Sequence, residues 1–123
     1  MPSSAAIFNN VPKHNYPQFE TPKNVVDFLA FNKNDVSKAF NVSKDSVRYD
    51  RKIPKEMHKR LDEIAIVCGL VAEFFDGDIK KTAVWFQMKN PALGDVSPRD
   101  MIRFGQFKKL HEFIIAAING ETP

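Results

Sequence analysis

Between Pro54 and Phe75 the apolar residues Met57, Leu61, Ile64, Ala65, Cys68, Val71, Ala72 and Phe75 recur in steps of three and four. That spacing sets side chains on one stripe of an α-helix. A helix this long and this amphipathic must bury its stripe against other helices, so it dictates the class of fold. Pro54 stands where a first helical position belongs, although Ile53 before it is a poor cap. Gly69 within the stripe costs about 1 kcal/mol relative to alanine; it marks either a close helix crossing or a tolerated defect. The charge-free part, residues 64–72, spans about 14 Å as a helix, half a bilayer core, which excludes a transmembrane span.

The rest of the chain carries helix signals and no alternating strand pattern of useful length. A first helix is expected over 23–31, with Val25, Phe28 and Leu29 on one face. Asn34 is a good cap for a second over 35–40, which Asn41 breaks. Ser43 would cap a third over 44–51. Asp76-Gly77-Asp78 is a turn, and a fifth helix over 79–88 presents Ile79, Ala83 and Phe86. Asn90-Pro91 ends it, since the residue before a proline resists helical geometry. A loop through Leu93, Gly94 and Asp95 leads to Ser97-Pro98-Arg99-Asp100, where a serine cap, a proline at the first position and an acid at the third open a sixth helix. Gly105 marks a break. A last helix over 106–118 carries Phe107, Leu110, Phe113, Ile114 and Ala117, and stops at Asn119-Gly120.

The fold class is therefore all-α. Residues 1–22 stand apart, with Pro2, Pro12, Pro17 and Pro22 among the eight prolines of the chain. Proline removes backbone donors, so this is an arm or strap rather than a helix. Two readings stand for it: docked through Ile7, Phe8, Tyr16 and Phe19, or trailing free. Residues 23–53 and 54–123 form the front and rear halves of the helical part. Nothing at the N-terminus has the basic-then-apolar layout of a secretory leader, and a cytoplasmic location is expected.

The net charge of +3 is unevenly placed. Residues 33–60 hold nine basic side chains (Lys33, Lys38, Lys44, Arg48, Arg51, Lys52, Lys55, Lys59 and Arg60) against four acids (Asp35, Asp45, Asp50 and Glu56), leaving the remainder at −2. A basic block on a mildly acidic body fits a polyanion site or a solvated face. Its inner part, residues 34–51, has the layout of a helix-turn-helix. Val36 and Phe40 pack under the first helix, Val42 fills the turn, Val47 anchors the second helix, and small Ser37 sits at the crossing. Asn41 falls where the turn needs a left-handed backbone, which asparagine tolerates.

With Val47 inward, Lys44, Asp45, Arg48 and Arg51 face outward. Arg48 is the candidate for a bidentate contact to guanine; Ser43 and Ser46 add hydrogen bonds; Lys38, Lys44, Arg51, Lys52 and Lys55 suit phosphates. One such helix covers a half-site, so a homodimer is expected on operator DNA. Asp45 and Asp50 on the reading helix weigh against DNA, leaving a purely structural helix pair as the alternative.

No sequence motif points to catalysis. His14, His58 and His111 lie on an arm and two helices with no His-x-x-x-His spacing. Cys68, the single cysteine, excludes an internal disulfide or a multi-cysteine zinc site and falls on the apolar stripe. Asp76 and Asp78 lack the further acids of a calcium loop. Gly77, Gly94 and Gly105 are isolated and form no phosphate cradle. Asp62 and Glu63 are adjacent, so on a helix they diverge. A non-enzyme without cofactor or metal is expected; only residues gathered by the fold leave catalysis open.

Residues 82–102 read Thr-Ala-Val-Trp-Phe-Gln-Met-Lys-Asn-Pro-Ala-Leu-Gly-Asp-Val-Ser-Pro-Arg-Asp-Met-Ile. This run resembles the toxin-binding domain of the Xre/MbcA/ParS-type antitoxins. Ala83, Trp85-Phe86, Asn90-Pro91, Leu93-Gly94 and Ser97-Pro98 match the family pattern, and the resemblance extends over residues 24–120. Asp95 replaces the second glycine of a Gly-Gly pair, Phe86 stands where leucine is usual, Gly105 matches a later glycine loosely, and Asn41 replaces the glycine of the turn.

The resemblance implies a DNA-binding front half and a toxin-binding rear half. It implies an antitoxin of a type II toxin–antitoxin system that neutralises a cognate toxin, of RES type and NAD-consuming, and represses its own operon. On this basis toxin contact falls to Asn90, Pro91, Leu93, Gly94, Asp95, Arg99, Lys108 and Lys109. The residues themselves also allow Trp85 to be core, the 90–97 loop to be a rigid connector, and the Lys108, Lys109, His111 and Glu112 face to meet only water. The other readings are a stand-alone helix-turn-helix regulator and a toxin-binding adaptor without DNA binding.

Overall fold

A computed structural model describes residues 12–121. Within them are six α-helices and no strand: α1 (Pro22–Phe28), α2 (Lys33–Phe40), α3 (Lys55–Phe74), α4 (Ile79–Gln87), α5 (Pro98–Arg103) and α6 (Phe107–Ile118). The fold is all-α, as the apolar periodicity requires. The long helix α3 is its axis, burying Met57, Leu61, Ile64, Ala65, Cys68 and Val71 along the expected stripe. One core cluster takes Val25 from α1, Val36 from α2, Phe86 from α4, Ile102 from α5 and Leu110 from α6. The front and rear halves thus share a single core. No described helix is long and apolar enough to cross a membrane.

The proline-rich strap is docked over its described part. Short 3-10 turns at Pro12–Asn15 and Pro17–Phe19 lie along α3. Lys13 pairs with Asp62, and the Tyr16 hydroxyl donates to Glu73 Oε1 at 2.9 Å. Phe19 is fully buried. It stands edge-on to Phe28 (4.8 Å), which meets Phe86 (5.8 Å), which meets Trp85 (5.1 Å). Each such edge contact contributes about 0.5–1.5 kcal/mol beyond area burial, so this run of rings fastens strap, α1 and α4 together. Ile7 and Phe8 lie outside the described residues.

Two helix boundaries differ from expectation for local reasons. α1 ends at Phe28 rather than residue 31, because Ala30 turns left-handed (φ 56) and the Phe31 amide donates back to the Val26 carbonyl. α2 starts earlier, with Asn32 rather than Asn34 as its cap. The Asn32 side chain accepts from the Asp35 amide (2.8 Å), and the Asp35 carboxylate accepts from the Asn32 amide (3.0 Å), a reciprocal box that satisfies two orphan donors. Asn41 closes α2 in the left-handed conformation (φ 52), as the turn demanded.

The third expected helix, over 44–51, does not form. One 3-10 turn, Lys44–Ser46, is followed by extended chain at Val47 (φ −75, ψ 108). Local side chains compete for the backbone here: Ser43 and Ser46 bond each other at 2.8 Å, and Asp50 accepts from the Lys52 amide at 2.9 Å. Val47, Tyr49 and Ile53 pack against the core while Arg48 and Asp50 stay exposed, an alternation that only extended chain allows.

Asp35 also joins the halves. Its carboxylate, 7% exposed as a residue, faces Arg99 Nη2 and Arg103 Nη1, each at 3.5 Å. Arg99 further donates to the carbonyls of Leu29 (2.6 Å) and Ala30 (2.9 Å) and lies over the Phe31 ring at 5.1 Å. Removing one partner of a buried ion pair leaves the other charge unpaired. We expect Asp35→Ala to lower unfolding stability by about 3 kcal/mol in urea titrations, and Asp35→Asn, which keeps an acceptor for the cap, by about half as much. Equal losses from the two variants would show that the charge contributes nothing.

Candidate functional site

The basic front gathers around the turn after α2 and the start of α3. Lys38, Ser43, Lys44, Arg48, Arg51, Lys52 and Lys55 are all exposed, and Ser46 is half-buried. The positive side chains sit at the surface but on no single reading helix: Lys38 rides on α2, Lys44 on a 3-10 turn, Arg48 on extended chain, Arg51 and Lys52 in a turn, and Lys55 at the start of α3. The Arg48 fork is engaged: Nε donates to Asp50 Oδ1 at 2.8 Å and Nη2 to Oδ2 at 2.6 Å. The same hydrogen bond from Arg48 holds the Asp50 carboxyl below its ordinary range, helped by the Lys52 amide. An arginine in this bidentate pair presents no free fork to a base edge. Asp50, read as an acid that would repel phosphate, instead neutralises the residue expected to read bases.

The second surface is the corner between α4 and α5. Asn90 organises it: its Oδ1 accepts from the Ala92 amide (3.0 Å), its carbonyl accepts from Leu93 (2.9 Å) and Asp95 (3.0 Å), and its own amide donates to Val96 (3.2 Å). Ser97 Oγ accepts from the Asp100 amide at 3.0 Å and starts α5. Leu93 and Val96 anchor the corner in the core, while Pro91, Gly94 and Asp95 face solvent. Gly94 (φ 76) and Asp95 (φ 61) are consecutive left-handed residues. The second glycine of the resembled pattern would therefore fall on a position whose backbone suits glycine, and aspartate is among the few other residues that tolerate it.

Of the other residues expected at this surface, Lys108 and Lys109 are exposed at the start of α6. Arg99 is not displayed; its guanidinium is committed to Leu29, Ala30 and Asp35 inside the fold. His111 stacks on Phe107 with ring centroids 5.7 Å apart. Among the described residues, no group of three or more His, Cys, Asp or Glu is placed to hold a metal ion. Cys68 is fully buried, and burial pushes its thiol well up from the ordinary range.

Trp85, expected in the core, is only half-buried. One side meets Phe86; the other floors a cleft of about 170 Å³ between the C-terminal ends of α3 and α6, walled by Leu70, Phe74, Phe113, Ala117 and Ile118. Beside it, Val84, Met88, Lys80 and Lys81 border a shallower hollow. Sequence reading missed this apolar face. Its signal was the Phe74-Phe75 pair, because neighbours on a helix cannot both point at one core.

The corner's backbone makes its own test. We expect Asp95→Gly to leave the melting temperature unchanged or raise it, and Asp95→Val to cost about 1–2 kcal/mol. A loss on Asp95→Gly would mean that the carboxylate, not the backbone, matters there. Compared with known proteins, the chain matches no family model, no curated protein and no solved structure.

Proposed function

We propose that this protein acts by contact, as an antitoxin. Its rear half, through the exposed corner at Pro91, Gly94 and Asp95 and the lysines Lys108 and Lys109, covers a partner enzyme. On the resemblance drawn from residues 82–102, that partner is a NAD-consuming toxin of RES type, and inhibition is steric, needing no chemistry from this chain. The single observation that carries the reading is the corner itself: a loop held by Asn90, Ser97 and two consecutive left-handed residues, yet open to solvent. Such pre-organised loops on a helical scaffold lose little entropy on binding.

The basic front adds a DNA role: Lys38, Lys44, Arg51, Lys52 and Lys55 on phosphates, with two copies on paired half-sites and repression of the protein's own operon as the outcome. A second reading, a toxin-binding adaptor that does not bind DNA, is favoured by the absence of a helix over 47–53 and by the Arg48–Asp50 pair.

Co-expression with the adjoining reading frame tests the antitoxin role. We expect growth to be rescued by the wild type and by Lys44→Ala/Arg51→Ala, and rescue to fail with Lys108→Glu/Lys109→Glu. A frame that is harmless, or harmful regardless of this protein, refutes it.

For the DNA role, operator affinity should fall linearly in log–log plots against salt. Asp50→Asn, which releases Arg48, should steepen that slope by about one unit. Absence of retention on the native upstream region at low salt, with rescue intact, selects the adaptor.

A further inference from the structure

We infer that Arg60, in a small hollow where the end of α2, the first turns of α3 and the α5–α6 turn meet, receives one carboxylate, carried by an acidic side chain of the partner enzyme. The inference rests on the partner contact proposed above for Lys108 and Lys109 and names the chemistry that contact selects. The hollow holds about 60 Å³ and is lined by Ala39, Phe40, Ile64, Gly105 and Phe107, with Arg60 as its charged side chain. A single water needs about 10–15 Å³ of such space, so a carboxylate fits. The hollow takes the tip of a side chain but not a phosphodiester with a sugar on either side, which favours a protein occupant over nucleic acid.

The half-buried arginines among the described residues are Arg60, Arg99 and Arg103. Arg99 and Arg103 face Asp35 and Asp100 within the chain. Arg60 makes no ion pair and no hydrogen bond among the described residues. Its guanidinium lies instead over the buried Phe107 ring, 5.0 Å from the centroid. Glu56 and Glu63 stand one turn to either side of it on α3, a spacing at which arginine ordinarily pairs, yet neither is within ion-pair distance. A guanidinium held on a ring keeps its fork for an outside acceptor, and a carboxylate matches that fork bidentately. Lys108 and Lys109, next along α6 from Phe107, are exposed and in no ion pair. They make the approach to the hollow positive, which selects an acidic partner surface.

Nuclear magnetic resonance of the purified, nitrogen-15-labelled full chain tests the receptor directly, with sodium acetate as probe and sodium chloride at equal ionic strength as control. Acetate should shift the Arg60 Nε–H signal and the Gly105 and Phe107 amides to saturation. Arg60→Gln, with its remaining amide spectrum unchanged, should raise the half-saturating concentration about tenfold. In co-expression, Arg60→Glu should lose rescue and Arg60→Lys should keep part of it. A linear drift shared with chloride means an adventitious ion only and overturns the inference. Full rescue by Arg60→Glu, beside a wild type that rescues, overturns it too. Saturation by inorganic phosphate at much lower concentration than by acetate assigns the hollow to a phosphate ligand and overturns the carboxylate. A wild type that fails to rescue refutes the antitoxin reading alone; saturation by acetate at Arg60 would then still support the receptor, and its absence would overturn that as well.

Discussion

The carboxylate of Asp35 is asked to do two things at once. It closes the N-terminus of α2 by accepting from the Asn32 amide, and it faces two arginines from α5, a helix more than sixty residues away in sequence. Burying a carboxylate is tolerable only when its oxygens are occupied and its charge is balanced. Arg99 supplies part of that balance and uses its remaining donors on the Leu29 and Ala30 carbonyls, which the left-handed turn at Ala30 leaves open at the end of α1. Three helix ends are thereby tied at one point. The basic front and the α4–α5 corner take their relative positions from it, because α2 leads into one and α5 out of the other.

Much of this fold was legible before any coordinates. The stripe of α3 is a strict helical repeat, and its long apolar face left no architecture but helices packed around it. Ser97-Pro98 and Asn119-Gly120 marked their helix ends because caps are local chemistry. Asn41 was placed in the left-handed turn for the same reason. What could not be read was long-range. Arg99 looks like any surface arginine after a proline; that Leu29 and Ala30 would present carbonyls to it depends on how α1 ends. Asn34 and Asn32 are equally good caps in isolation, and only the reciprocal bond with Asp35 separates them.

The missing third helix is a different kind of miss. Residues 47–50 alternate, Val47 and Tyr49 in, Arg48 and Asp50 out, a run too short to stand out against the helix-turn-helix layout. Ser43, Ser46 and Asp50 each prefer local hydrogen bonds to helical geometry, and Pro54 resists helix at Ile53. The basic charge of the front stayed where sequence put it, on the surface. What changed is its presentation: point charges spread over α2, the turns that follow it and the start of α3 suit phosphates, and Arg48 must leave Asp50 before it can read a base.

Both surfaces therefore ride on one core, and that unity is the central claim. Native-state hydrogen exchange tests it most directly. The slowest amides of α2, α3 and α5 should share one opening free energy and respond together to denaturant, as a single cooperative unit does. If α2 instead opens at a markedly lower free energy while α3 and α5 remain protected, the front half is a separate module, and the knot at Asp35 does not hold the molecule together.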